Sequence, residues 1–297
     1  MGDKTKIEWT DATWNPIRGC SRVSEGCRNC YAESVAARFS GPGLPYAGLA
    51  TFKDGDARWT GEVRLIEKHL EDPLRWKEPR KIFVNSMSDL FHPGVKAEWL
   101  AEIFAVMAKA PQHIYQILTK RPERMLQVLE AADDFDVALA FKQTYGQAWA
   151  PRNWWFGVSI EDQETANHRL PILARCPVQV RFVSYEPAIG PVSFVEAMGG
   201  NFKGPSAFDW IICGGESGPN ARPLKPSWAR AARNACQARG IPFFFKQWGE
   251  WAPFGIVDAQ VTVLDIGVPP EKLWRLGKGR AGALLDGREW KEFPQCG

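Results

Sequence analysis

The sequence predicts an α/β fold, a partial (βα)6-7 TIM-type barrel with loop insertions and a C-terminal extension. Three observations carry this. Seven short runs rich in β-branched and aromatic residues recur along the 297-residue chain. Stretches with apolar residues at helical spacing separate several of them. Polar residues gather directly after the runs. Alternating strands and helices imply parallel pairing with right-handed crossovers, and so many strands favour a barrel over a doubly wound sheet. No G-x-G-x-x-G fingerprint follows the first strand, which argues further against a dinucleotide-binding sheet.

The elements follow in order. TWNPIRG is the first strand candidate and YAESVAARF a short first helix. SGPGLPYAGLATFKDGDARWTG, rich in Gly and Pro, reads as a loop excursion, an insertion near residues 41–61. KIFVNSMSDLF opens as a strand and closes on polar residues, KAEWLAEIFAVMAKA is helical, HIYQILTK is a strand and RPERMLQVLEAA is helical. DDFDVALAFKQTYGQAWAP reads as a second peripheral insertion, near 133–150. WWFGVSI, VQVRFVSYE, FDWIICGGE and IPFFFKQWG complete the strands. QETANHRLPILARC and PSWARAARNACQARG are the helices between them, and Gly240 is placed to stop the last one. This sets a barrel domain over 1–250 and a C-terminal extension over 251–297 packed on it.

Composition narrows the classes. The N-terminus MGDKTKIEWTD is too polar for a secretory signal and no run of apolar residues is long enough to span a membrane, so no membrane association is expected. Lys plus Arg at 37 against Asp plus Glu at 34 leaves a net charge of +3, which excludes a polybasic nucleic-acid attractor and makes any polyanion site local. The 14 tryptophans, several beside Arg, Lys or Pro, are suited to stacking on bases, but large aromatics mostly pack.

The cysteines raise the sharpest question. Cys20, Cys27 and Cys30 fall close together, whereas Cys176, Cys213, Cys236 and Cys296 are scattered. An odd total of seven argues against a disulfide framework and for a reducing cytoplasm. Three clustered thiols with no fourth nearby ask for a metal whose shell something else completes. On a loop between strand one and helix one, they suit a four-iron cluster with one iron lacking a protein ligand. Zinc is the alternative, in a zinc-stabilised, non-catalytic nucleic-acid-binding protein, because Cys3His sites are common and C-x2-C is a frequent half-site. His69, His92, His113 and His168 are then the candidates for the fourth ligand, none at a recognisable spacing.

Polar residues at the strand ends are the other candidates: Ser86, Ser88 and Asp89; Thr119, Lys120 and Arg121; Ser159 and Glu161; Glu186; Cys213 and Glu216; Lys246. Loops at the C-terminal ends of barrel strands build active sites. Lys120, Arg121, Arg222, Lys225 and Lys246 would form a phosphate-binding rim if they converged. Asp89, Glu186 and Glu216 would serve a barrel hydrolase as an acid/base or metal-binding set. Asp89 reads equally as a helix cap or loop carboxylate, and for Cys213 the favoured reading is a small buried core residue.

Three closely spaced cysteines after the first strand of a (βα) barrel resemble the radical S-adenosylmethionine (SAM) superfamily. WNPIRGC, CRNCYAE, ILTKRPERM, GVSIEDQ, SYEP, CGGES and the ending LLDGREWKEFP resemble the three-Cys-motif family of phage and bacterial proteins, similar in layout to the spore photoproduct lyase branch. The resemblance implies a 4Fe–4S cluster on Cys20, Cys27 and Cys30, with SAM on the open iron and reductive cleavage to a 5′-deoxyadenosyl radical. It implies Ser86, Ser88 and Asp89 near the methionine ammonium, and Ser159 and Glu161 near the ribose or carboxylate. Cys213 would return a hydrogen atom, and with Glu216 and Lys246 it forms the candidate catalytic set. A nucleobase in DNA or RNA as substrate, in repair or modification, and a reductase or flavodoxin-type electron donor complete the expectation. The spacing here is C-x6-C-x2-C, where the superfamily has C-x3-C-x2-C with an aromatic just before the last cysteine. Asn29 holds that place and Tyr31 follows, so the longer loop must bulge to bring Cys20 in.

Overall fold

The computed structural model describes residues 5–130, 151–200, 207–253, 263–266 and 270–295; the insertion near 133–150 lies outside them. Seven strands form one sheet in sequence order: β1 (Ala12–Trp14), β2 (Lys81–Val84), β3 (Ile114–Thr119), β4 (Trp154–Ile160), β5 (Val180–Tyr185), β6 (Trp210–Gly214) and β7 (Phe243–Gln247). Each pair with a resolved register is parallel. Sequential parallel strands with helices between them define the partial (βα) TIM-type barrel class. The chain divides into two compact units, the first mainly Met1–Val158 and the second mainly Phe182–Gln295 with Ser159–Ala174.

In the first unit, β2, β3 and the start of β4 are buried almost throughout, as parallel strands covered on both faces require. Helix α1 (Tyr31–Arg38) follows the cysteine loop. Helix α2 (Ala97–Lys109) buries Leu100, Ile103, Phe104 and Met107, the stripe its apolar spacing predicts. Helix α3 (Pro122–Glu130) opens on a proline, whose missing N–H is unneeded in a first turn, and buries Met125, Leu126 and Leu129.

Two details differ from the sequence reading. TWNPIRG is not one strand: β1 ends at Trp14, and beyond Pro16 the pair Ile17–Arg18 runs antiparallel to Arg64–Leu65. Proline cannot continue a ladder. The excursion near 41–61 is also not merely loop. It contains a hairpin, Ala50–Lys53 with Asp56–Trp59, turning at Asp54 and Gly55 with φ of 52° and 82°. Positive φ at both turn residues is what an Asp-Gly hairpin turn demands. Tyr46, Leu49 and Ala50 pack on Ala32, Ala36 and Ala37 of α1, so the excursion buttresses the helix that follows the cysteines.

In the second unit, helix α4 (Gln163–Arg175) buries Ala166, Leu170 and Leu173, and helix α5 (Pro226–Gln237) buries Ala229, Ala232 and Cys236. Gly240, at φ 65°, turns the chain out of α5. Strand β7 would expose an unpaired edge, but Phe245 N donates to Trp290 O at 2.8 Å and Glu292 N to Phe243 O at 3.2 Å. Trp248 and Trp210 add indole bonds to Leu284 O and Glu292 O, each 2.8 Å. Trp14, Trp154, Trp155, Trp210 and Trp248 are fully buried, so these indoles pack rather than offer stacking faces. Among the described residues no helix is long and apolar enough to cross a membrane.

Candidate functional site

The cysteine loop begins at Gly19, at φ 94°, where a Cβ would fall 2.1 Å from the Glu62 carbonyl oxygen; only glycine fits. Cys20, Cys27 and Cys30 are all free thiols and half-buried. Cys27 closes a single 3-10 turn, and Cys30 occupies the cap position of α1. Burial pushes the Cys20 thiol up to about 12; Asp89 adds to that shift, and the Arg121 guanidinium opposes it. Burial also raises Cys30, against the pull of the Glu33 and Ala32 amides at the start of α1. The thiols are close enough to feel one another's charge.

Two arginines shape this loop. Arg22 donates through Nε to both Glu33 carboxylate oxygens at 3.1 and 2.9 Å, and through Nη2 to Arg28 O at 3.1 Å and Ala57 O at 3.3 Å. Glu33, 3% exposed, also accepts from Trp59 N at 2.8 Å. One guanidinium therefore joins the loop, α1 and the hairpin. Arg121 joins the loop to the ends of β2 and β3: Nη1 donates to Asp89 at 2.8 Å, and Nη2 to Ser21 O and Oγ, both at 2.9 Å. Sequence reading singled out neither Arg22 nor Glu33, because 11 residues separate them and no local pattern joins them.

Asp89 was expected to meet an ammonium. Its carboxylate is instead filled by four donors: Thr119 Oγ1 at 2.8 Å, Phe91 N at 2.9 Å, Arg121 Nη1 at 2.8 Å and Lys120 N at 3.2 Å. Ser86 Oγ donates to Asn15 Oδ1 at 3.2 Å, and Ser88 Oγ to Ile17 O at 2.9 Å. Both hydroxyls thus hold the end of β2 to the chain leaving β1. Tyr31, largely exposed, adds a bond from its hydroxyl to Ser86 O at 2.7 Å.

The donor set decides which metal group fits. A Cys3His zinc site would need a histidine, and each of the four already has a partner. His92 Nδ1 accepts from Gly94 N at 3.1 Å, which leaves Nε2 to carry the proton against Ser21 Oγ at 2.9 Å. His69 pairs with Asp72, His113 bonds Pro73 O, and His168 is exposed on α4 with a partner of its own. Among the described residues no three His, Cys, Asp or Glu side chains converge tightly enough to hold one ion. A single tetrahedral zinc draws its sulfurs to about 2.3 Å from one point. A four-iron cube holds its thiolates at separate corners, and an all-thiolate donor set is the one it uses. Three free thiols on one loop fit that group.

In the second unit the strand ends carry closed ion pairs. Lys246 Nζ lies 2.5 Å from Glu186 Oε1, and Gly214 makes room: a Cβ there would sit 3.3 Å from Glu186 Cδ and 3.4 Å from Lys246 Cβ. Glu216 accepts from Arg222 N, Nε and Nη2 at 2.8, 3.0 and 2.7 Å. Glu161 and Arg169 are both almost fully buried and 3.1 Å apart, and Ser159 Oγ donates to Glu186 O at 2.9 Å. Cys213 has no exposed surface; burial and the nearby Glu186 carboxylate keep its thiol protonated. The glycines of CGGES allow a close approach, but of the protein's own backbone: a Cβ at Gly215 would lie 1.9 Å from Trp248 O.

These pairings correct the expected phosphate rim. Arg121, Arg222 and Lys246 are each committed to a carboxylate, and Lys225 lies over the Trp228 ring at 5.2 Å. The hydrolase reading is not favoured, because Asp89, Glu186 and Glu216 each already carry a cation.

Fold and site together define a parallel (βα) barrel-type protein that presents three free thiols ahead of its first helix. The chain belongs to the DUF5131 family, described as a protein of unknown function, whose profile matches residues 4–294. No curated protein matches it. Solved structures of spore photoproduct lyase are similar in chain path. A variant with bound AdoMet and dinucleoside spore photoproduct gives a TM-score of 0.44 at 10% identity, covering 93% of this chain and 71% of that one. The lyase complexed with dinucleoside spore photoproduct gives 0.43 at 11%, covering 95% and 72%.

Proposed function

We propose that this chain is a radical SAM enzyme that holds a 4Fe–4S cluster on Cys20, Cys27 and Cys30 and acts on a nucleobase in DNA or RNA, as a repair or modification enzyme. The observation that carries the reading is the trio itself: three free thiols on one loop, anchored by Arg22 and Arg121, with His92 already bonded to Ser21 of that loop. When bound, the cluster and SAM supply one electron to a sulfonium and a 5′-deoxyadenosyl radical. The chain's own residues provide the frame. Gly19 sets the direction of the loop, Ser88 and Ser86 fix the end of β2, and Asp89 acts through Arg121 rather than on a ligand. Ser159 and Glu161 remain proposed for the SAM side; each contributes through a backbone or an already paired group. Lys246 with Glu186 is the proposed substrate-side polar pair, and Glu216 is proposed to shape that side through Arg222. Cys213 as hydrogen donor requires the sealed thiol to be uncovered. The nucleic-acid substrate, the place in a phage-type three-Cys family and a reductase or flavodoxin-type donor rest on the motif resemblance.

The test is anaerobic reconstitution with iron and sulfide. The protein is expected to turn brown and, with reductant and SAM, to release 5′-deoxyadenosine. Cys30→Ser is expected to reduce release to background, whereas Cys296→Ser retains it. A colourless protein carrying stoichiometric zinc, or equal activity in the two variants, overturns the reading.

A further inference from the structure

We infer that Arg121 is the positioning residue that brings the Cys20 arm of the long C-x6-C loop toward the other two thiols, acting as a rigid fork between Asp89 and Ser21. The inference rests on the proposed cluster for its purpose but not for its geometry. A six-residue gap between Cys20 and Cys27 leaves the first thiol on a flexible tether unless something external fixes it. The Cys27 and Cys30 side needs no such aid, since those residues lie in a 3-10 turn and at the cap of α1, and Arg22 ties Arg28 O to Glu33.

On the Cys20 side the fixed points are few. Gly19 bridges Ser88 across the ends of the first two strands, and the next residue but one, Ser21, is held from two directions. Arg121 Nη2 donates to both its carbonyl and its hydroxyl at 2.9 Å, and the His92 Nε2 proton points to the same hydroxyl at 2.9 Å. Cys20 is therefore pinned on both sides in sequence. The guanidinium itself is 11% exposed and cannot swing, because its other branch is bonded to Asp89, 7% exposed, which Thr119 Oγ1 and the Phe91 and Lys120 amides hold in turn. The planar fork matters here. A lysine ammonium carries the same charge, but as a compact point donor it cannot span a carboxylate on one element and a carbonyl on another.

The test compares wild type, Arg121→Lys and the pair Asp89→Asn with Arg121→Gln, the last chosen so that no buried carboxylate is left unpaired. Amide hydrogen exchange of the iron-free chain over residues 19 to 24 is expected to accelerate about tenfold or more in both. Exchange over residues 28 to 36, anchored by Arg22, is expected to stay at the wild-type rate. After reconstitution, iron and sulfide retained per chain fall by half or more in both, and the electron paramagnetic resonance spectrum of the reduced cluster changes shape even in Arg121→Lys, where the charge is kept. Wild-type exchange over 19 to 24 in both variants overturns the inference, and so does restoration of exchange and spectrum by lysine, which would make charge rather than the fork responsible. The exchange readout needs no metal. A wild-type chain that binds only zinc, yet shows the exchange pattern, would sink the proposed function while leaving the role of Arg121 standing.

Discussion

The cysteine loop and the strand ends of the second unit handle ionisable groups in opposite ways. In the second unit each acidic candidate has its own cation: Glu161 with Arg169, Glu186 with Lys246, Glu216 with Arg222. Charge there is balanced within the fold, as buried charge must be. In the cysteine loop the two charged pairs, Arg22 with Glu33 and Arg121 with Asp89, balance each other and leave the thiols over. Burial raises Cys20 and Cys30, and for Cys20 it outweighs the opposing Arg121 guanidinium, so both thiolates would gain from positive charge brought by a bound group. A coordinating metal supplies that charge and deprotonates the sulfur outright. The difference teaches where to look for chemistry: a scaffold closes its charge, whereas a site leaves some of it open.

The largest effect that would test this contrast comes from Arg22→Met. It leaves Glu33 buried with only Trp59 N as partner, and breaking such a pair costs about 3–5 kcal/mol. Urea unfolding should show that loss together with poor iron retention. A variant as stable as wild type would mean that the pair is not part of the loop's frame.

Lys246→Met removes the cation from Glu186 in the second unit. We expect a smaller loss of about 1–3 kcal/mol by thermal melting, and iron loading per chain unchanged. Reduced iron content in this variant would break the distinction between the two regions.

The smallest effect is one of pH. Burial, with help from Arg121, lowers His92 to about 4, and its Nδ1 is occupied as an acceptor. Between about pH 6.5 and about 4 the unfolded chain binds a proton at this residue that the folded chain does not, so stability falls as pH falls across that window. Above it the residue contributes no slope. From pH 7 to pH 5 wild type should lose about 1 kcal/mol more than His92→Gln, measured by denaturant melts at each pH. Parallel losses in the two proteins would remove His92 from the loop's support.

The sequence made the seven strands and five helices readable because each carries a strong local pattern, as in the fully buried run of Trp154–Ile160 or the stripe of Ala97–Lys109. Where short-range cues competed, the reading slipped. Pro16 was absorbed into a strand that it ends, and the Asp54-Gly55 turn was lost among neighbouring glycines and prolines. The trio of cysteines was legible from spacing alone. Its support was not, because Arg22 and Glu33 are 11 residues apart and Arg121 lies 100 residues beyond Ser21. Arg121, Arg222 and Lys246 looked like a rim for phosphate because sequence shows a cation but not the carboxylate folded against it.

The close approach at Gly19 has a practical consequence for redesign. The Glu62 carbonyl oxygen occupies the space that a methyl group would need, so the polypeptide itself dictates the direction in which the chain leaves toward Cys20. A combinatorial library aimed at shortening the spacing to the next thiol can therefore hold position 19 invariant and randomise Val23, whose side chain reaches solvent ahead of the turn that Cys27 closes.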